Sequence, residues 1–125
     1  MGKSCLGDYE DAVLEDVWYE LEGAYEVFGI GRCRFVLVHC RTAMLMGVAL
    51  LAKNKGLPIS ERGLATTVQK LGMPTHLIDS CVNVARAGRY ESILRGSLDE
   101  QELAATILSN TLETFEWIRN EMASG

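Results

Sequence analysis

A chain of 125 residues with 48% hydrophobic and 23% charged side chains has the composition of an ordinary globular protein and is long enough for one domain with its own core. Its formal net charge of −5 excludes a general nucleic-acid-coating surface, whose affinity comes from neutralised phosphates and so from a basic excess. The carboxylates crowd into residues 8–26 and 99–121, which leaves space for a local basic patch in the middle.

The first residues, Met1-Gly2-Lys3-Ser4-Cys5-Leu6-Gly7-Asp8, run straight into acidic sequence and lack the apolar stretch of a cleavable signal, so a cytoplasmic protein is expected. Asp8 is an N-cap candidate for a first helix with acidic residues in its first turn. Leu14, Val17, Trp18, Leu21, Tyr25 and Phe28 follow the three-and-four spacing of one buried stripe. Residues 29–31, with two glycines, allow a tight turn into the next element.

Residues 30–52 read as one long helix, apolar almost all the way round, that carries Arg32, Arg34, His39 and Arg41. A helix without a broad polar face must be enclosed by protein or lipid. His39 and Arg41 within it, and Gly56-Leu57-Pro58 behind it, point to a protein core and not to a membrane. Gly56 is expected in the left-handed position that closes the helix, and Pro58 prevents its continuation.

Ser60 starts a short third helix over 61–71, closed by Gly72. Thr75 can cap a fourth, with Leu77, Ile78, Cys81, Val82, Val84 and Ala85 inward, and Gly88 interrupts it before residues 89–94. Ser97-Leu98-Asp99-Glu100 is a capping-box pattern for the last helix. Its inward stripe is Leu103, Ile107, Leu108, Thr111, Leu112, Phe115, Ile118 and Met122. Connections this short make successive helices antiparallel neighbours, so the expected fold is all-α, an up-and-down antiparallel bundle of four to five helices in one domain over 1–125. The second helix is more apolar than one bundle requires, and a homodimer through the long helices is the economical explanation.

Cys33 and Cys40 stand two turns apart, about 10 Å along a helix axis, too far for a disulfide within it. With Cys5 and Cys81 they are expected as reduced thiols packed as small apolar groups.

The run Val38-His39-Cys40-Arg41-Thr42-Ala43, the later Ala85-Arg86-Ala87-Gly88-Arg89-Tyr90, and the Leu103, Leu112, Phe115, Ile118 spacing occur in the order of a known group. The chain resembles the HEPN domain, more closely its small stand-alone prokaryotic branch. That resemblance implies a four-to-five-helix bundle, like the substrate-binding subunits of nucleotidyltransferases, that commonly dimerises. It also implies a minimal nucleotidyltransferase as partner, often in a toxin–antitoxin pair, and nucleotide or RNA as ligand. Other members are metal-independent RNases with an Arg-x4-6-His motif near the start of the final long helix. The family's Glu-Lys pair on the second helix is replaced here by Leu45-Met46, and the histidine of the short helix is absent from Ser60-Glu61-Arg62-Gly63-Leu64.

Arg34 and Arg32 both satisfy Arg-x4-6-His with His39, which makes Arg34 and His39 the weak catalytic candidates. They lie on the second helix, however, and no histidine follows His76. Residues five apart on a helix point about 140° away from each other, a poor arrangement for shared acid–base work. A binding and regulatory role is therefore favoured over an enzyme. His39 is either a core histidine bonded to a neighbouring helix or a polar contact in a ligand groove. Arg86 and Arg89 share a helix face and, with Arg32, Arg34, Arg41 and Tyr90, make up the candidate ligand-binding set. Guanidinium groups fork two hydrogen bonds onto a phosphate; the alternative is that Glu20, Glu22, Glu26 or Glu113 neutralises them structurally. Cys33, His39 and Cys40 do not share a face, so no metal site is expected, and no cofactor. The competing readings are a metal-independent RNase toxin and a helical protein-interaction module without a nucleotide ligand.

Overall fold

A computed structural model of the chain describes residues 8–58, 63–89 and 100–124. Five helices make up these segments: α1 (Asp8–Gly29), α2 (Cys33–Asn54), α3 (Leu64–Lys70), α4 (Thr75–Ala87) and α5 (Glu100–Ser124). The protein is an all-α bundle, as the periodicity predicts. Ser60, Tyr90 and the capping box at Ser97 lie outside the described residues.

Three of the connections begin with the same cap. Gly31, Gly56 and Gly72 take positive φ, and the next residue donates its N–H back to the helix: Arg32 to Val27, Leu57 to Ala52 and Met73 to Val68. This is the Schellman arrangement, which satisfies carbonyls that the helix end leaves open. It also moves two boundaries. Ile30 and Gly31 belong to the turn, and Arg32 is the N-cap of α2 instead of its first turn. Pro74, not Thr75, is the N-cap residue of α4.

α2 is the centre of the bundle. Paired contacts give the directions of its neighbours. His39 meets Glu20, while Val13, further back on α1, borders one pocket with Met46 and Leu50, further along α2, so α1 runs antiparallel to it. Arg41 meets Ala85 and Met44 meets Cys81, so α4 is antiparallel too. Arg34 meets Glu100 and Gly47 receives Ile118, so α5 runs parallel to α2 as its diagonal neighbour. Val36, Cys40, Val48, Leu51 and Ala52 are fully enclosed as a result. By length and hydropathy α2 could cross a membrane, but more than half of its most apolar window is already covered by the other helices.

The inward stripes of α4 and α5 follow their predicted spacing, with Leu77, Cys81, Val84 and Ala85 buried on one and Ile107, Leu108, Thr111, Phe115, Ile118 and Met122 on the other. α1 differs. Val17, Leu21 and Ala24 form its buried line, whereas Trp18 and Tyr25 remain 44% and 48% exposed. Each of these aromatics sits one residue, about 100°, round from the buried line, where α5 does not close over it. The buried hydroxyls of Thr67, Thr111 and Thr114 each donate to a carbonyl one turn back, on Gly63, Ile107 and Asn110, which removes the cost of burying them.

Gly88 is packed most tightly. A Cβ there would collide with the Arg41 Cβ and the Leu37 carbonyl oxygen. Gly88→Ala is expected to destabilise the protein by about 1–3 kcal/mol through overpacking. Gly29→Ala, at a helix end with nothing within 4 Å, is expected to be neutral or stabilising by up to about 1 kcal/mol. Urea midpoints of the two variants check this contrast.

Cys33, Cys40 and Cys81 are free and buried. Burial raises Cys40 from the ordinary 9.0 to about 11, against a smaller lowering by its hydrogen bond with Thr111. Burial alone raises Cys81 to about 12. Both thiols are therefore expected to resist alkylation at pH 8 until the chain unfolds, as mass spectrometry after iodoacetamide treatment would show. The folded state holds these protons more tightly than the unfolded state does. Their contribution to stability is accordingly intact below pH 9 and is lost as pH rises through about 11 to 12. Urea titrations across that window should show the fall.

Candidate functional site

The fold separates the predicted ligand set into two groups on opposite sides of α2. Arg34 and Arg41, seven residues apart, lie within about 20° of one another around the helix, whereas His39 lies about 160° from Arg41.

Arg41 is the best-held of the arginines. Half-buried, it donates from Nε to the Ala85 carbonyl at 3.1 Å. That carbonyl belongs to the last turn of α4, where the helix dipole favours a cation. Its stem runs against Gly88, so the absence of a side chain there is what lets Arg41 cap the helix. Arg86, in the last turn of α4, and Arg89, just beyond Gly88, are exposed at the same place.

Arg34 lies one turn before Leu37, whose carbonyl borders Gly88, and Arg32 sits at the adjoining N-cap. Arg34 Nε donates to Glu100 Oε1 at 2.7 Å, with both side chains about half exposed (50% and 42%). The start of α2 has neither a side-chain cap nor an acidic residue in its first turn. Arg32, Arg34 and Arg41, at the N-cap and on the first three turns of α2, and Arg86 and Arg89 at the end of α4 make up an arginine edge, with Glu100 paired to Arg34 within it. Tyr90, the remaining member of the predicted set, lies outside the described residues.

His39 stands on the α1 side, half-buried, with Nδ1 3.3 Å from Glu20 Oε2. Its ring lies over Gly23, where an added Cβ would come within 3.2 Å of His39 Cε1. Glu20 orients the imidazole, as a carboxylate does in an acid–base pair. Arg34, its predicted catalytic companion, is engaged with α5 on another side of the helix. Among the described residues no group of three His, Cys, Asp or Glu side chains is placed to hold a metal ion. His76 is exposed and lies 3.7 Å from Glu113.

Sequence spacing identifies the arginines but not their partners. Glu100 is read there as a helix-capping residue, and nothing local connects it to Arg34, 66 positions away. Gly88 reads as a helix interruption, and its second role as the seat for Arg41 depends on two helices meeting.

Removing Arg41 takes away a half-buried, charged hydrogen bond and its packing against Gly88. Arg41→Ala is expected to cost about 1.5–3 kcal/mol. Arg34→Ala breaks an exposed pair and is expected to cost no more than about 1 kcal/mol. Chemical denaturation of the two single variants compares them.

No family model, no curated protein and no solved structure matches the chain.

Proposed function

We propose that the protein is a HEPN-like binding and regulatory module that acts in the cytoplasm as a homodimer and partners a minimal nucleotidyltransferase, with a nucleotide or RNA phosphate held at the arginine edge. The observation that carries the ligand part is the gathering of Arg32, Arg34, Arg41, Arg86 and Arg89 where α2 begins and α4 ends, in a protein of net charge −5. An uncapped helix start attracts anions, and guanidinium forks suit phosphate. The partner part rests on the sequence resemblance alone.

The dimer part rests on the side of α2 that its own bundle leaves open. Phe35, Val38, Thr42, Leu45 and Ala49 follow a three-and-four spacing along that side. Phe35 is 51% and Val38 42% exposed, and Ile30 at the preceding turn is 69% exposed. A largely apolar stripe of this kind, interrupted only by Thr42 whose hydroxyl is turned back to the Val38 carbonyl, is what helix pairing buries.

Calorimetry with ATP and with a short RNA tests the ligand. Binding weakened about tenfold or more by Arg86→Ala with Arg89→Ala is expected, and absence of heat with both ligands removes the ligand reading. Light scattering of Val38→Glu, expected to be monomeric, tests the dimer. RNA cleavage that disappears in His39→Ala would replace the regulatory reading by the RNase one.

A further inference from the structure

The exposed aromatics of α1 have a pattern of their own. Asp11, Glu15, Trp18, Glu22 and Tyr25 succeed one another at intervals of four, three, four and three, so they form one stripe along the helix, about 21 Å long. All five are exposed. The first part of the stripe borders an open groove of about 520 Å³ between α1 and α5, whose lining includes Leu14, Phe115 and Arg119. Trp18 stacks on Phe115 with ring centroids 6.0 Å apart and planes inclined by 29°, which fixes the indole as one wall. The Arg119 guanidinium lies 6.0 Å from the centre of the Phe115 ring and 3.9 Å from Glu116 of its own helix.

α1 contains no lysine or arginine. Asp11 with Glu15, four residues apart, are like charges on neighbouring turns, an arrangement that costs an isolated helix a few tenths of a kcal/mol. An aromatic wall flanked by carboxylates complements a cation with an apolar stem.

We propose that this face of α1 docks a basic amphipathic helix of a partner protein. An apolar side chain of that helix enters the groove against Leu14, Trp18 and Phe115, while its lysines or arginines meet Asp11, Glu15 and Glu22. The stripe continues beyond the groove to Tyr25, so it matches a helix of about four turns and exceeds the span of a small organic cation. Its charge repels nucleic acid and anionic membrane. A second copy would oppose α1 to α1 with like charges along both. The proposal stands independently of the function assigned to the arginines and to the open stripe of α2.

The probe is a fluorescein-labelled peptide of about 18 residues built from Lys and Leu at helical spacing, titrated with the full chain and followed by anisotropy. Saturable one-to-one binding is expected, weakened about tenfold or more by Asp11→Asn with Glu15→Gln, and likewise by Trp18→Ala, but retained in Trp18→Phe. Asp16→Asn with Asp79→Asn removes the same charge elsewhere and is expected to change the affinity by less than about twofold. Circular dichroism confirms that each variant is folded. The proposal is overturned if no binding occurs, if both charge pairs weaken it equally, or if a Glu/Leu peptide of the same length binds as well.

Discussion

Enclosure of α2 is the constraint on which the rest of the molecule depends. Its sequence leaves almost no polar face, and α1, α4 and α5 each pack a stripe against a different side of it. Val36, Cys40, Val48 and Leu51 have no exposed surface, and each represents apolar area that water would otherwise have to cover. α3 packs against α4 and adds Leu64 and Val68 to the same core.

The same packing determines where charge goes. Gly88 brings the end of α4 against α2 closely enough for the Arg41 stem to fill the space, and the guanidinium then reaches the Ala85 carbonyl. A cation at a helix C-terminus and a glycine at a helix crossing are separate local choices, yet here each requires the other. His39 is positioned by a related device on the opposite side, with Gly23 beneath its ring and Glu20 at its Nδ1.

Charge is consequently segregated. Arginines gather where α2 begins and α4 ends, while α1 presents carboxylates and no base. A protein with net charge −5 thus carries a run of arginines on α2 and α4 and an acidic α1 without a base. Exposed apolar surface remains along the start of α2, at Phe35 and Val38, and at Tyr19 of α1.

How much of this was readable in advance differs from element to element. The all-α class, the Gly56 and Gly72 caps and the inward stripes of α4 and α5 follow from three-and-four spacing and from backbone preferences, which are local properties. The stripe of α1 was only half readable, because Trp18 and Tyr25 are apolar enough to be buried and whether they are depends on how far α5 reaches across. The five arginines and His39 are visible as residue types. Their division into a basic edge and a separate His39–Glu20 pair is a matter of angle around α2 and of which helix lies on each side. Arg34 with Glu100 and Arg41 with Ala85 join residues 66 and 44 positions apart. Helices and their apolar faces are written locally in the chain, since hydrogen bonding and side-chain period act within a few residues; which charges meet is set by the packing, since it depends on helices brought together from far apart.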